Sequence, residues 1–250
     1  MSIVNRDSET MGLGRTSVAM NYFAHGMQYI DRPYFLAGTA VPDWLSAVDR
    51  KVRMRTRYVA PFADGSGTIQ AEIAAGVLQH LEDDQWFHRT RAFIETSAEL
   101  ALLFRSALGN EDAFRPGLLG HIVTELILDG ILIQQNLRLL DDYYASLQKI
   151  NADAVQNAVN RMTQHATTSR LATLIGSFQQ EQFLRDYLDP TQLVYRLNQV
   201  MRRIKLKQVP NEIEDVIKTA WSVVTNQIGH LLPNIPFTTH TFNKTRNSST

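Results

Sequence analysis

The chain contains no cysteine, so disulfides, thiolate metal ligands and a cysteine nucleophile are all excluded. No apolar run reaches the ~18 residues that cross a bilayer, because His121, Glu125 and Asp129 interrupt the most apolar stretch, residues 117–133. The N-terminal residues also lack the apolar core of a signal peptide. These absences favour a soluble cytoplasmic protein without a transmembrane segment.

An excess of charge of one sign is also missing, since Lys plus Arg and Asp plus Glu total 25 each. Global charge therefore indicates neither a nucleic-acid coat nor an acidic tail, and no nucleic acid is expected as a partner. The sequence has no glycine-rich phosphate loop followed by Lys and Ser or Thr, and no Gly-x-Ser-x-Gly motif. A P-loop nucleotidase and a serine hydrolase of that type are thereby excluded.

Alternating strand patterns are absent as well, and the apolar residues recur mostly at helical spacing. The sequence predicts an all-α, single-domain helical bundle, with a loop at 61–67. Polar ends predict a flexible arm at 1–19, a folded domain at 20–236 and a flexible tail at 237–250; translation starts at either Met1 or Met20. The predicted helices are 20–29, a helix or irregular segment in 35–48, 69–81, 90–108, 117–133, 137–149, 152–166, 169–187, 191–207 and 211–231.

The most apolar predicted helix carries a polar stripe. His121, Glu125 and Asp129 follow one another at intervals of four residues, so they share one helical face. A helix that is apolar on its other faces is buried, and ionised carboxylates inside it are costly unless they meet a cation or a basic partner. The stripe indicates either a metal site or a set of buried ion pairs and helix-bridging hydrogen bonds.

A second cluster with the same spacing precedes it. His80, Asp84 and His88 are again four residues apart, although the chain around Asp84 also resembles a helix end. For His88 the alternative is an exposed histidine beside Arg89. Imidazole and carboxylate without sulfur suit zinc, manganese or iron. Such an ion lowers the pKa of bound water and orients a phosphoryl oxygen, so it supports hydrolysis without a protein nucleophile.

Two further candidates lie upstream. His25 ends the segment Met-Asn-Tyr-Phe-Ala-His, and Asp43 follows Gly38 and Pro42. Taken alone, a histidine on an apolar helix is usually a packed core residue, and an aspartate after proline is usually a helix cap. Their interest comes from the segments in which they stand.

These segments resemble the acyl carrier protein phosphodiesterase family, whose members begin with Met-Asn-aromatic-Leu-Ala-His and continue with a Gly-rich turn and an Asp. His80 and Asp84 match the family's next motif, a His and an Asp separated by three residues. The resemblance implies an HD-domain-like bundle with a metal site between helices. It also implies a manganese-dependent enzyme that removes phosphopantetheine from an acidic carrier protein.

In the most apolar predicted helix the sequence departs from the pattern of this family. The family's Asp-x-x-x-Asp-His element corresponds to Glu125 and Asp129, but Gly130 stands where the family has His, and His121 is additional. The Gly-x-x-x-Pro-Asp turn at 38–43 and the His121 stripe are also similar to zinc-dependent phospholipases C. Both families are helical, use metals and cleave phosphodiesters, so the two resemblances agree on the reaction and differ in the substrate.

Together the residues and the resemblances predict a site for manganese, zinc or iron, with Asp84 and Glu125 catalytic. Arg53, Arg55 and His88 are expected to bind the phosphate ester, because Arg pairs with phosphate in a bidentate manner and residues 50–57 follow Asp43 closely. A second basic cluster at 202–207 is expected to be ordinary surface. The predicted metal ligands are His25, Asp43, His80, Asp84, His121, Glu125 and Asp129.

The favoured hypothesis is a metal-dependent hydrolase of phosphoric (di)esters whose partners are a phosphate ester and an acidic carrier protein. One alternative is a non-catalytic helical binding protein, with a vestigial or structural metal site, that recognises its partner through residues 50–57. The other is a phospholipase C-like lipid hydrolase, which needs an exposed apolar rim. The identity and number of the ions, the substrate and the oligomeric state stay open at this level.

Overall fold

The computed structural model describes residues 21–109, 112–164 and 166–233, which form eleven α-helices, four short 3-10 segments and no strand. The prediction of an all-α bundle is confirmed, whereas the whole of the predicted arm and of the predicted tail lies outside the described residues. The helices are α1 (Tyr22–Gly26), α2 (Pro33–Val48), α3 (Thr56–Val59), α4 (Ile69–Phe87), α5 (Arg91–Leu108), α6 (Pro116–Gln135), α7 (Leu137–Leu147), α8 (Ala152–Arg161), α9 (Leu171–Glu181), α10 (Pro190–Arg203) and α11 (Glu214–Leu231).

One contiguous apolar core joins these helices, from Tyr22 in α1 to Leu231 in α11. Helix α6 lies at its centre, and nearly every side chain from Leu119 to Ile133 is buried. By length and composition α6 is able to cross a membrane, but 83% of its most apolar window is buried inside the bundle. It therefore behaves as the core helix of a folded domain.

Helices α2 and α4 approach each other closely because two glycines meet at their contact. A Cβ atom on Gly38 would lie 2.4 Å from the backbone oxygen of Ile73, and one on Gly76 would lie 2.1 Å from that of Phe35. Only a residue without a side chain permits this approach. The contact brings α4 next to Asp43 of α2.

Several helices differ in extent from their predictions, and α1, α8 and α10 end earlier than the predicted 20–29, 152–166 and 191–207. Helix α2 continues through Pro42, which favours the helical alternative there. Helix α4 ends at Phe87 rather than at about residue 81, because Phe87 is buried in the core and prolongs the helix beyond its polar stretch. The predicted helix at 169–187 divides at Gln182, whose φ of 48° is left-handed and ends α9.

Helix α1 is only five residues long and is anchored to α6 by Asp129. The N–H of Phe23 donates to Oδ2 of Asp129 at 2.9 Å, and the N–H of Ala24 donates to Oδ1 at 2.8 Å. The first N–H groups of a helix have no partner inside the helix, so a carboxylate there satisfies them and complements the positive end of the helix dipole. This anchor fixes the position of His25.

Candidate metal centre

Three side chains from α1 and α4, namely His25, His80 and Asp84, form what we call the first metal group. Nε2 of His25 is 3.4 Å from Oδ1 of Asp84, and Nε2 of His80 is 3.7 Å from its Oδ2. One donor atom from each residue lies within 4.8 Å of the others. These separations exceed those of good hydrogen bonds, but they are near the ~3.4 Å between two ligands of a tetrahedral ion with bonds of ~2.1 Å. The group therefore has the spacing of a metal site.

The other ring nitrogen of His25 is held by an acid that the sequence analysis did not assign. Nδ1 of His25 lies 3.3 Å from Oδ2 of Asp83, and Nε2 of Gln79 donates to Oδ1 of Asp83 at 2.8 Å. A carboxylate on one imidazole nitrogen fixes the tautomer and leaves the opposite nitrogen for a metal. Sequence spacing offered no signal for this contact, because 58 positions separate the two residues.

Asp43 of α2 stands beside the first metal group with an unsatisfied oxygen. Its exposure is 2%, and its Oδ2 accepts no hydrogen bond from any residue that the structure describes. Burial raises the pKa of Asp43 well above its usual range, the charge of Asp84 raises it further, and His25 opposes both. A buried carboxylate oxygen without a donor is costly, and a bound cation would remove that cost. Asp43 thus fits the role of a further ligand.

The pKa values of the two histidines in the first metal group are shifted in opposite directions. Burial lowers the pKa of His25, but the close contacts of its two ring nitrogens with the carboxylates of Asp83 and Asp84 outweigh burial and raise that pKa to about 10. Burial and the neighbouring His25 lower the pKa of His80 to about 4. Burial opposes ionisation of Asp84, yet the two imidazoles hold its pKa below the usual range. At neutral pH the metal-free group therefore carries its proton on His25.

A second metal group consists of His88, at the C-terminal cap of α4, with His121 and Glu125 of α6. Oε1 of Glu125 lies 2.8 Å from Nε2 of His88 and 3.2 Å from Nε2 of His121. Burial would raise the pKa of Glu125, but the two imidazoles, His121 foremost, lower it. These are hydrogen-bond distances, so the two imidazoles already satisfy Oε1 without a metal ion. The other oxygen, Oε2, accepts no hydrogen bond within the described part of the chain.

The two metal groups are neighbours. Asp84 and His88 are one turn apart on α4, and the imidazole of His88 helps to lower the pKa of Asp84. The charge of Glu125 in turn acts on Asp43. The ion pairs found at both groups join carboxylates to imidazoles. The arrangement can accommodate one ion at the first group, or one at each.

Asp129 belongs to neither group, although the sequence predicts it as a ligand. Both of its carboxylate oxygens accept N–H groups at the start of α1. Burial raises the pKa of Asp129 to about 7, against the lowering effect of those two hydrogen bonds. Helical spacing correctly places Asp129 on the same face as Glu125, but spacing cannot show that a backbone terminus occupies its oxygens.

A cleft of about 350 Å³ opens beside the first metal group. Asn21, at its base, is 3% exposed, and its Oδ1 accepts no hydrogen bond from residues 21–109, 112–164 or 166–233. Trp86 at its edge is 47% exposed. The lining residues are Asn21, Ala24, His25, Gln28, Tyr29, Gln79, Asp83, Trp86, Phe87, Leu232 and Pro233.

Two predicted features of substrate binding are not found at this cleft. Arg53 and Arg55 do not line it, because residues 50–55 leave the end of α2 toward α3 and α10. His88 contacts Glu125 and is also outside the lining. Among the large apolar side chains exposed in the described residues, only Trp86 lines the cleft, so the described part shows no apolar rim. The others are Ile69, Ile94, Leu102, Leu137 and Tyr195.

Comparison with protein-family models, curated proteins and solved structures gives no match for this chain. The resemblances to carrier-protein phosphodiesterases and phospholipases C therefore stay predictions. At Gly130, where the first of these families has His, a Cβ atom would lie 2.6 Å from the ring of Trp221 and 3.0 Å from the backbone oxygen of Tyr187. A side chain at that position would clash with Trp221 of α11, which accounts for the glycine there.

Proposed function

We propose that this protein is a metal-dependent hydrolase of phosphoric esters, with its catalytic ion at the first metal group. The observation that carries the proposal is the convergence of His25, His80 and Asp84 at ligand-like spacing, beside the unsatisfied carboxylate of Asp43. Nitrogen and oxygen donors without sulfur suit manganese, zinc or iron. The bound ion would supply a water of lowered pKa and polarise a phosphoryl oxygen.

The chain's own residues divide the remaining tasks. His25 and His80 would hold the ion through Nε2, and Asp84 through its carboxylate. Asp83 orients His25 by its contact with Nδ1, which is the usual support for a metal-bound imidazole. Glu125 would either hold a second ion or keep its hydrogen bonds to the two histidines of the second metal group.

The cleft supports an ester whose organic part is uncharged and planar. No Lys or Arg is found among its described lining residues, so the ion itself would neutralise the phosphate. Trp86 offers an exposed aromatic face, and Asn21 offers a carbonyl oxygen that lacks a donor. A planar group could stack on the ring of Trp86 and donate an N–H or O–H to Oδ1 of Asn21. Pockets that combine apolar surface with a few placed polar groups are typical ligand sites.

The test is elemental analysis of protein purified without chelator, together with hydrolysis of bis(p-nitrophenyl) phosphate. We expect about one ion per chain, bound tightly enough to survive purification, and loss of both metal and activity in His80→Ala. His230→Ala is the matched control, because His230 is an exposed histidine of α11 that contacts Gln227. Full activity with unchanged metal content in His80→Ala would remove the proposal.

A non-catalytic metal protein is the second candidate, and the direct hydrogen bonds in the second metal group favour it. It predicts that His80→Ala loses metal and thermal stability while the wild type hydrolyses neither phosphate monoesters nor diesters. A panel of both ester classes, assayed with manganese, zinc and iron in turn, separates the two candidates.

A further inference from the structure

Two basic segments that are distant in sequence meet on one surface. Nη1 of Arg50, after α2, donates to the backbone oxygen of Arg203, at the end of α10, at 3.2 Å. Nε of Arg53 in turn donates to the backbone oxygen of Arg50 at 3.4 Å. The basic surface is defined here by eight exposed cations: Arg50, Lys51, Arg53, Arg55, Arg57, Arg202, Arg203 and Lys205.

None of these eight cations forms an ion pair with an acid among the described residues; the Lys and Arg ion pairs found there use other cations. Asp49, the nearest acid along the chain, is already engaged. Its Oδ1 accepts Nε of Arg170 at 3.1 Å, and its Oδ2 accepts the hydroxyl of Thr168. A salt-bridged surface is therefore not what the structure shows. Uncompensated charges of one sign instead create a positive potential over this face.

The backbone presents several of these cations in a row. Val52 and Met54 are buried, whereas Lys51, Arg53 and Arg55, which alternate with them, are exposed. The chain turns at Lys51, where the N–H of Val52 donates to the backbone oxygen of Asp49, and is extended at Arg55, whose φ and ψ are −134° and 133°. The alternation therefore leaves three neighbouring cations exposed to solvent along a short stretch of chain.

The loop that carries the second part of the surface is held in place. Nδ2 of Asn198 donates to the backbone oxygen of Val209 at 2.9 Å, and the N–H of Val209 donates to Oδ1 of Asn198 at 2.8 Å. Lys205 between them has a left-handed φ of 59° that turns the chain after α10. A pre-ordered surface loses less conformational freedom on binding.

We propose that the basic surface binds the phosphate backbone of duplex nucleic acid without reading its sequence. Six of its eight cations are Arg, which pairs with phosphate through two parallel N–H bonds. Of the large apolar side chains exposed in the described residues, only Tyr195 shares a helix with the surface, seven positions before Arg202 in α10, so the surface lacks the clustered apolar anchors of a protein interface or of membrane insertion. The eight cations are also outside the cleft, so this site is independent of the proposed hydrolase function.

A nucleic-acid partner departs from the expectation, drawn from the balanced net charge, that the protein binds no nucleic acid. The two segments are separated by about 150 positions in a sequence whose total charge is zero. Neither segment alone is longer than a common surface cluster of charges. The fold brings the two segments together through the contact between Arg50 and Arg203.

The test is fluorescence anisotropy of a labelled short DNA duplex, titrated with the full chain between ~50 and ~200 mM salt. We expect binding with a negative salt slope. The variant Arg53→Gln/Arg55→Gln/Arg203→Gln should bind at least ~10-fold more weakly, with a slope shallower by roughly 3, since each lost phosphate contact removes about 0.9. The control Arg91→Gln/Arg105→Gln/Arg138→Gln removes the same charge from α5 and α7 and should bind within ~2-fold of wild type.

Circular dichroism checks that each variant is folded, and Lys51→Gln/Arg57→Gln/Arg202→Gln replaces the first variant if it is not. Polyglutamate and phosphatidylserine vesicles serve as competitors. Absence of duplex binding at ~50 mM salt, an equal loss in the control variant, or tighter binding of either competitor than of the duplex would overturn the proposal.

Discussion

Binding of a divalent ion at the first metal group should release a proton from His25. The pKa of His25 in the metal-free protein is raised to about 10, so at pH 7.5 its imidazole is almost fully protonated. The pKa of His80 is lowered to about 4, so it contributes no proton. Because a metal takes only the deprotonated imidazole, the expected release from the first metal group is about one proton per ion, and the carboxyl of Asp43, whose pKa is also raised, adds a second where it becomes a ligand. The apparent affinity should rise at least about tenfold per pH unit from pH 6 to pH 9.

Isothermal titration calorimetry in two buffers of different ionisation enthalpy measures this release directly. Asp83→Asn removes the hydrogen-bonding carboxylate that contributes most to raising the pKa of His25, so the proton count at pH 7.5 should fall below that of the wild type. His25→Gln should release about one proton fewer than the wild type. A wild type that releases no proton, or an Asp83→Asn variant that releases as many as the wild type, would contradict this prediction.

The same pKa values predict how the stability of the metal-free protein depends on pH. The folded-state pKa of His25 lies above its ordinary 6.5, so its pairing with Asp83 and Asp84 stabilises the fold fully below pH 6.5. This contribution is lost as pH rises toward 10. The pKa of Asp129 is also raised, from 3.8 to about 7, and for an acid this means that stability falls as pH rises from about 4 to 7. Urea titrations of chelator-treated protein should therefore show lower stability at pH 9 than at pH 5.

Three further variants test the packing and the cleft. Asp129→Asn leaves a buried N–H of α1 without its carboxylate, and should lower the free energy of unfolding by about 1–3 kcal/mol in urea titrations. Gly76→Ala places a Cβ atom 2.1 Å from backbone and should cost at least ~2 kcal/mol, whereas Gly117→Ala, with nothing within 4 Å, should leave the melting temperature nearly unchanged. Trp86→Leu should raise KM for aryl phosphate esters about tenfold with little change in kcat. The control Tyr195→Leu changes an exposed aromatic outside the cleft and should change neither constant. If both variants behave alike, the cleft does not bind the substrate.

Pairs of donors within one helix were predictable from the sequence, because their geometry follows from the chain alone. His80 with Asp84, and His121 with Glu125, are four residues apart, and helical spacing places each pair on one face. The buried, apolar character of α6 was predictable for the same reason. The length of α4 was not, since its last turn is maintained by the burial of Phe87 rather than by local propensity.

Contacts between helices were beyond prediction from spacing. Asp83 reaches His25 across 58 positions, and nothing in its neighbourhood distinguishes it from Asp84. Arg53 follows Asp43 closely in sequence, but its chain runs from the end of α2 toward α10 and away from the cleft. Sequence proximity indicated that Arg53 binds phosphate beside the metal, but the direction of the backbone leaves Arg53 outside the lining of the cleft.

The attachment of α1 has a consequence for how the site opens. Helix α1 is secured to α6 through two amide hydrogens and to the core by the buried rings of Tyr22 and Phe23, so its release exposes both rings and is a rare local opening. Release of α1 withdraws His25 and leaves the other ligands in place. Ion occupancy and the closed position of α1 are then thermodynamically linked, so saturation with metal should slow amide exchange at Phe23 and Ala24 far more than in the centre of α6.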